Sequence, residues 1–557
     1  MLPSQSAMKR FFPSSSDESG DDEANSRGVK RHGSSGAVLA GSPAVTSKGS
    51  LHGSSGTVLA SSSAVTSQGS LLVSSGAVLA GSPAVTSQDS LLVSSGAEQD
   101  VDWVDFLREK TADRRQELGQ QKRPLVMHTL FSGLNSPDEV LRKLGVEFTV
   151  PVAAEKKPHA RSFCIQNGLA PSHHYFADVK PLVSIGKGHC CKHDDECSLP
   201  AEKADLLVAG FPCTPFSFAR SGCRDEESVR QRPDFEKMTW TVEYIVKTRP
   251  RMFLLENVPG FAAKDSELKD SGGHSFYNDL KKELEENGYV VSHVFVLLDL
   301  WIEAGSTRLY ILGAEKSLVP EAQALCTDAS RMADQLQRSR SSAGCPTPWR
   351  SCLLKRGTHE WLQAEACWLG EAVSHQRGPQ EEEAGWRQQC RDMRSEWQAA
   401  GFSWHAAEPW SQPLAGMLAP KLLGVPQPVP ERKIELLNLA VLWSMEQHGL
   451  QELTASNISA ATRSLICNTT QNPKRQPFSH GVCRLCRNSR LYSFEDDRLL
   501  APSELYKMYG WKSPMLSDVS MAKCVDLLGD SMSLPTLGVA LVSLIFTAGR
   551  AIPDLWQ

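Results

Sequence analysis

From Pro124 onward, short continuous apolar runs alternate with amphipathic segments, and the acids and the thiol that stand out fall at the ends of those runs. These observations predict an α/β fold: a Rossmann-like, mostly parallel sheet with helices on both faces, plus a smaller irregular domain and a disordered N-terminal tail. A strand covered on both faces has no wet side to display, so it reads as an unbroken apolar run.

In chain order, "VDWVDFLREKTADRRQELGQQKR" reads as an amphipathic linker helix over 101–123, and "LVMHTLF" as the first strand. "SPDEVLRKLG" is a punctuated helix, with Ser136 as N-cap, Pro137 at N1, Glu139 closing a capping box and Gly145 past the end. Further strands are predicted at "FTVPVAAE", "DLLVAGF", "RMFLLEN", "VVSHVFVLLD" and "RLYILG". Helices are predicted at "HARSFCIQN", "FEKMTWTVEYIVKTR" and "SFYNDLKKELEENG". Ligands of such a sheet sit at the carboxyl ends of its strands. Glu155, Asp178, Cys213 and Glu256 all lie at or just beyond those ends.

Between 317 and 460 the regularity fades, and tryptophans crowd in at 349, 361, 368, 386, 397, 404 and 410, which marks an insert or small domain. Regular structure resumes at "RLLAPSELYKMYGW" and "VDLLGDSMSLPTLGVALVSLIF". The apolar run "LPTLGVALVSLIFTAG" is short for a bilayer and carries Pro535, Thr536, Gly538 and Ser543, so it reads as a packed helix and no membrane partner is expected.

Residues 1–100 behave differently. Residues 32–91 repeat with a period of 20 in Ser, Gly and Ala, which cannot bury enough surface to offset the entropy of ordering; a disordered tether is expected. The 15 cysteines follow no disulfide-scaffold spacing and no apolar signal segment opens the chain, so a reducing interior is expected. A net charge of −5 gives no global attraction to nucleic acid, which leaves local basic surface over 108–123 or 474–490.

The chemistry gathers around "AGFPCTPFS", which holds Cys213 in a turn stiffened by Pro212 and Pro215. "LLENVPG" puts Glu256 at a strand end, and "STRLYILG" puts Arg308 at a strand start; the sheet brings both to one edge. A thiol nucleophile, a carboxyl group and a guanidinium facing one pocket suit attack on an electron-poor ring.

These motifs, together with "RLLAPSELYKMYGW" and "LLGDSMSLP" in the same order, resemble the cytosine-5 DNA methyltransferase family over residues 124 to about 550. The resemblance implies a catalytic domain at 124–316, a target-recognition domain at 317–460 and C-terminal segments, 461–557, that return to the catalytic domain. It implies that Cys213 adds to C6 of a cytosine flipped out of double-stranded DNA while Glu256 engages N3 and Arg308 steadies the adduct. The methyl donor would be S-adenosylmethionine, with Phe131, Gly133, Glu155, Asp178 and Pro212 on the cofactor side. Against the family pattern, Asn135 and Ser136 replace two glycines, Lys156 an aromatic residue, Ala304 and Ser306 a glutamine and an arginine, and Asp530 an asparagine. Two other readings stay open: a transfer-RNA cytosine-5 methyltransferase, and a catalytically dead nucleic-acid-binding scaffold.

Two smaller signals complete the reading. "HCCKHDDEC" places Cys190 or Cys191, His193 and Cys197 close together, and "CRLC" supplies Cys483 and Cys486; paired they could hold zinc, but each half alone is incomplete, so uncoordinated thiols and no metal are expected. Gln5, Met8, Phe11 and Phe12 in "QSAMKRFF" have the spacing of a peptide that plugs into the replication sliding clamp, which would place the protein in the nucleus.

Overall fold

The computed structural model describes residues 102–217, 226–263, 275–302, 306–317, 321–344, 346–364, 383–399, 431–473, 477–482, 485–486, 488–511, 520–549 and 554–556. The repeat tail and the clamp-like peptide lie outside these residues.

The chain enters on α1 (Trp103–Lys110) and α2 (Ala112–Leu118). The expected single linker helix is thus two helices, broken at Thr111, whose hydroxyl donates to the Leu107 carbonyl at 2.6 Å. Nor is it a linker: Trp103, Phe106 and Leu107 are buried in the main core.

Then follow β1 (Leu125–Leu130), α3 (Ser136–Leu144), β2 (Phe148–Ala154), α4 (Pro158–Gln166), β3 (His174–Phe176), α5 (Lys180–Ser184), β4 (Lys187–Cys190), β5 (Asp195–Ser198) and β6 (Leu206–Ala209). After them come α6 (Glu226–Arg230), α7 (Glu236–Thr248), β7 (Met252–Asn257), α8 (Phe276–Glu286), β8 (Tyr289–Leu297), β9 (Thr307–Glu315) and α9 (Ala322–Ser342). The nine strands form one sheet in the order β5-β4-β3-β2-β1-β6-β7-β9-β8. Its centre, β3 to β7, is parallel; β9 pairs antiparallel to β7 and β8, and the β4–β5 hairpin runs antiparallel beside β3. All six strands read from the sequence are present, and β3, β4 and β5 are additions.

Period-two alternation explains the two covered faces. Leu206, Val208, Met252, Leu254, Tyr310 and Leu312 point to one core with α1, α3, α4 and α9. Leu207, Ala209, Phe253, Leu255, Leu309 and Ile311 point to the other, with α5, α7 and α8. At Gly313 the sheet requires a missing side chain, since a Cβ there would lie 2.0 Å from the Phe253 ring. At the amino ends of β1, β6 and β7, buried Asp205 accepts from Arg123 at 2.6 and 2.9 Å and from the Val126 amide at 2.9 Å, and Arg251 and Asp554 join the network. One edge of the sheet is thus clamped by charge, which leaves the carboxyl edge for chemistry.

The second core lies further along the chain than expected. α9 belongs to the main sheet, because Leu325, Cys326, Ala329, Ala333 and Leu336 make a stripe at helical spacing that is buried in the main core. The smaller unit instead gathers Trp361, Trp386, α10 (Glu383–Ala399), α11 (Glu431–Gln447), α12 (Ala455–Thr462) and a four-stranded antiparallel sheet, β10 (Leu465–Asn468), β11 (Phe478–His480), β12 (Leu491–Ser493) and β13 (Arg498–Leu499). The return to the main core therefore comes near residue 500 rather than 461, with α13 (Pro502–Met508), α14 (Met521–Gly529) and α15 (Leu534–Ala548). The stretch Ala522–Ala548 is long and apolar enough to cross a membrane, yet its most apolar window is almost wholly buried, and α15 packs against α1, α3 and α9. Gly538 lets Trp103 and Leu107 pack directly on α15, where a Cβ would meet them at 2.8 and 2.9 Å.

Candidate active site

β6 ends at Ala209, and the loop that follows carries Cys213. Its flanks are anchored from below: Phe211 and Phe216 are buried and both meet Phe261 edge-on, at centroid separations of 5.4 and 4.8 Å. Such pairs contribute about 0.5–1.5 kcal/mol each beyond area burial. The Phe216 amide donates to the Cys213 carbonyl at 2.9 Å, closing a tight turn, and Arg232 donates to the Pro215 carbonyl at 2.7 Å. Asn257 ties the loop to the neighbouring strand by donating from Nδ2 to the Phe211 carbonyl at 3.2 Å. Prolines, aromatic floor and backbone bonds together hold the sulfur in a defined place.

Glu256 and Arg308 reach the same place by register. β7 and β9 pair Glu256 with Tyr310, and residues two apart on a strand share a face, so Glu256, Tyr310 and Arg308 point the same way. The Arg308 Nε lies 3.0 Å from Glu256 Oε1. A Cβ built on Gly210 would come within 3.5 Å of the other Glu256 oxygen, which brings the cysteine loop to the same carboxyl group. Burial pushes the Glu256 carboxyl up, against the opposing pull of Arg308. Burial alone would disfavour a charged Arg308, but Tyr509, Glu256 and Cys213 outweigh it and hold the guanidinium above its ordinary range. The structure thus brings Cys213, Glu256 and Arg308 together. Tyr310, Tyr509 and Asn257 join them unannounced, and Ser306, already marked as a departure, fills the position of an expected arginine with a hydroxyl that accepts from Arg308 Nη1 at 2.6 Å. Asn257 stands next to Glu256 and Tyr310 two beyond Arg308, whereas Tyr509 lies in the quoted stretch "RLLAPSELYKMYGW", whose sequence gives no sign of its approach to Arg308.

On the other side of β6 lies the loop after β1. Phe131, Gly133 and Asn135 all have positive φ, at 51°, 52° and 54°. For a bulky aromatic residue this is a strained conformation, and such strain concentrates at functional loops. Asn135 takes up the left-handed geometry natural to glycine, which asparagine tolerates better than most residues. It is also the N-cap of α3, correcting the expected Ser136 cap: Ser136 lies inside the helix and its hydroxyl donates to the Met532 carbonyl at 3.1 Å. Glu139 closes no capping box and pairs with Lys143 at 3.1 Å instead. Both departures from glycine are therefore accommodated.

Glu155, at the end of β2, accepts the Gly133 amide at 2.8 Å and the Lys157 amide at 2.7 Å. Burial pushes its carboxyl up, and the two amides and Lys157 restrain the rise. Lys157 also pairs with Asp530, so the residue replacing an asparagine pulls the C-terminal segment onto this loop. Asp178 follows β3, accepts the Lys180 amide at 3.1 Å and lies 3.5 Å from the exposed Lys156 ammonium. Phe131, Gly133, Glu155, Asp178 and Pro212 thus line the carboxyl edge of β3, β2, β1 and β6, on both sides of the point where strand order reverses between β1 and β6. Ala304 lies outside the described residues.

Beneath this loop Asp138 is 3% exposed and its Oδ1 has no hydrogen-bond partner; burial pushes the carboxyl up to about 8. The folded chain then keeps a proton that the unfolded chain releases near pH 4, so this group's stability contribution is complete at low pH and is lost as pH rises through about 8. We expect the unfolding free energy to fall from pH 5 to 8 by up to about 1.4 kcal/mol per pH unit, and the thermal midpoint to fall with it. Asp138→Asn, followed by circular dichroism melts, should flatten that slope.

The expected basic surface over 108–123 is largely spent within the fold. Arg108 and Arg115 donate to the Lys143 and Leu144 carbonyls at the end of α3, Arg114 pairs with Glu117, and Arg123 pairs with Asp205. Of the second stretch, residues 474–476 lie outside the described residues, and Arg490 donates to its neighbour's carbonyl at 2.9 Å.

The carboxyl edge of an open, mostly parallel sheet thus joins the loop after β1 to a cysteine, a carboxyl group and a guanidinium, the place where ligands of such α/β sheets sit. The description "C-5 cytosine-specific DNA methylase" matches residues 127–405, half of the chain, and the chain belongs to that family. It is 26% identical over 195 residues to the type II methyltransferase M.HgiCI of Herpetosiphon aurantiacus, covering 34% of this chain and 38% of that one. It is 29% identical over 260 residues to M.NlaIV of Neisseria lactamica, covering 45% and 53%. The chain thus spans about half or less of the length of these curated relatives. The solved structure of the Entamoeba histolytica methyltransferase EhMeth aligns over 76% of this chain and 98% of its own, with a TM-score of 0.36 and 10% identity.

Proposed function

We propose that this protein is a DNA cytosine-5 methyltransferase, acting on a cytosine swung out of double-stranded DNA. The observation that carries the reading is the 3.0 Å contact of Arg308 with Glu256 on the sheet face beside the Cys213 turn. In this reading the Cys213 thiolate forms a bond to C6. Glu256, which burial favours as the neutral acid, donates to N3, so that electron density is pushed to C5. Arg308 holds the ring's carbonyl oxygen. Once C5 is methylated, departure of the C5 proton and cleavage of the C6–S bond restore the thiolate.

S-adenosylmethionine, the family's general methyl donor, would supply an electrophilic methyl group when bound. The residues fit it: each Glu155 oxygen takes one backbone amide and keeps lone pairs for ribose hydroxyls, and Asn135 Oδ1 is buried without a partner in the adjacent loop. Phe131 would lie against adenine, Asp178 would take its amino group, and Pro212 would line the pocket between donor and base. Nuclear residence and docking on the sliding clamp belong to the same proposal and rest on Gln5, Met8, Phe11 and Phe12.

The test is labelled S-adenosylmethionine incubated with the full chain and either duplex DNA or transfer RNA. We expect label in DNA, and a covalent species on a duplex carrying 5-fluorocytosine. Label in transfer RNA alone would transfer the assignment to RNA. A folded protein labelling neither would make it a scaffold.

A further inference from the structure

We propose that this chain binds one structural zinc ion through His174, Cys190, His193 and Cys197, at the outer edge of the main sheet. The four donor atoms already lie within 4.8 Å of one another. Neither the methyl-transfer reading nor the expectation of no metal includes such a site, and the inference holds whether or not the chain methylates DNA.

Backbone register builds the cluster. β3 pairs Phe176 with Cys190 of β4, and β4 pairs Gly188 with Cys197 of β5. Residues two apart or directly opposite share a face, so His174, Cys190 and Cys197 all point to one side of the sheet. The hairpin turn then folds His193 over them: its amide donates to the Cys190 carbonyl at 3.2 Å, and Asp194 turns the chain at a φ of 53°. Lys192 fixes the turn from outside by donating to the Pro171 carbonyl at 3.1 Å.

The chemistry of the set selects the ion. Two thiolates and two imidazoles are the donors of closed tetrahedral zinc sites, and together they neutralise a divalent charge at the protein edge. Zinc–sulfur and zinc–nitrogen bonds of about 2.3 and 2.0–2.1 Å require donor–donor edges of about 3.3–3.8 Å. His193 Nδ1 and Cys197 Sγ are already 3.3 Å apart. The rings of His174 and His193 meet edge to face at 5.0 Å. A second observation points independently to a ligand: His174 Nδ1 is shielded from water and has no hydrogen-bond partner. A buried imidazole nitrogen left unsatisfied is costly, and a metal bond removes that cost.

This arrangement corrects the pairing suggested by the sequence. His174, 16 residues upstream of Cys190, supplies the fourth donor that the sequence reading could draw only from the distant Cys483 and Cys486, of which Cys483 lies outside the described residues; Cys191 is not among the donors. With four protein ligands the site is closed and its role is to fasten. It ties the β4–β5 hairpin to β3, the strand whose end carries Asp178.

The experiment is elemental analysis of the full chain, purified without chelator from zinc-supplemented medium, and of His193→Ala, Cys197→Ser and Cys486→Ser. We expect one zinc per chain in the wild type and in Cys486→Ser, and at least a tenfold loss in His193→Ala and Cys197→Ser. His193 is exposed in a turn, so its replacement leaves the fold in place. Cobalt added to apoprotein should give tetrahedral d–d bands together with a thiolate charge-transfer band, both absent from Cys197→Ser. A folded wild type without zinc or cobalt bands would overturn the proposal. So would a native Cys190–Cys197 disulfide found by alkylation and mass spectrometry, or zinc retained at full stoichiometry in both cluster variants.

Discussion

Cys213→Ala should lower methyl transfer to duplex DNA by at least roughly 10⁴-fold while leaving S-adenosylmethionine binding within about twofold. The two effects separate because the thiol and the loop after β1 are held by different elements. Cys213 rests on Phe211, Phe216 and Phe261 after β6, whereas Glu155 and Gly133 are bonded to each other after β1 and β2. The turn that carries the sulfur is closed by backbone atoms of Cys213 and Phe216, which alanine keeps. The measurement is label transfer alongside equilibrium binding of the donor by calorimetry. Retention of more than a hundredth of the wild-type rate would remove Cys213 from the role of nucleophile. Loss of donor binding in step with activity would mean that the substitution had disturbed the loop and not the chemistry.

How much of this could be read from the chain depended on whether a feature announced itself locally. The strands at 125–130, 148–154, 206–209, 252–257, 289–297 and 307–315 were legible because burial on both faces leaves continuous apolar runs. β3, β4 and β5, with the sequences HYF, KGHC and DECS, carry no such run; pairing with neighbours, not hydrophobic pattern, makes them strands. That omission also concealed His174, since only the β3–β4 register brings it to Cys190.

Cys213, Glu256 and Arg308 were legible because each sits in a run of distinctive residues at a strand end. The accommodation of the altered positions was not. Asn135 substitutes for glycine through a backbone angle, and Asp530 meets Lys157 across 373 residues of chain. Both contacts are properties of the folded molecule. A substitution can look like decay in sequence while the structure supplies it with a partner.

The largest effect on stability is expected at Glu504, inside "RLLAPSELYKMYGW", where Glu504→Ala should cost about 3–5 kcal/mol. Glu504 is fully buried, and its two oxygens accept four bonds: Arg498 Nη1 and Nη2 at 2.8 and 2.7 Å, the Ala501 amide at 2.7 Å and the Leu354 amide at 2.7 Å. Removing the carboxylate takes the bidentate counter-ion from the Arg498 guanidinium, which is 1% exposed and lies over the Trp361 ring at 4.6 Å. It also strips the first turn of α13 of its cap and leaves the Leu354 amide unpaired, so three penalties coincide at one residue. Glu504 accordingly joins Leu354, at the entry to the smaller unit, to Arg498 and Ala501, where the chain leaves it. Urea unfolding followed by tryptophan fluorescence should report the loss, with Trp361 as a probe beside Arg498. Arg498→Met with Glu504→Leu should recover part of it, because replacing both ions with apolar groups removes the uncompensated charge. If the single and double variants unfold at the same denaturant concentration, the cost lies in the lost cap and amide contacts, and the ion pair is not what joins the two units.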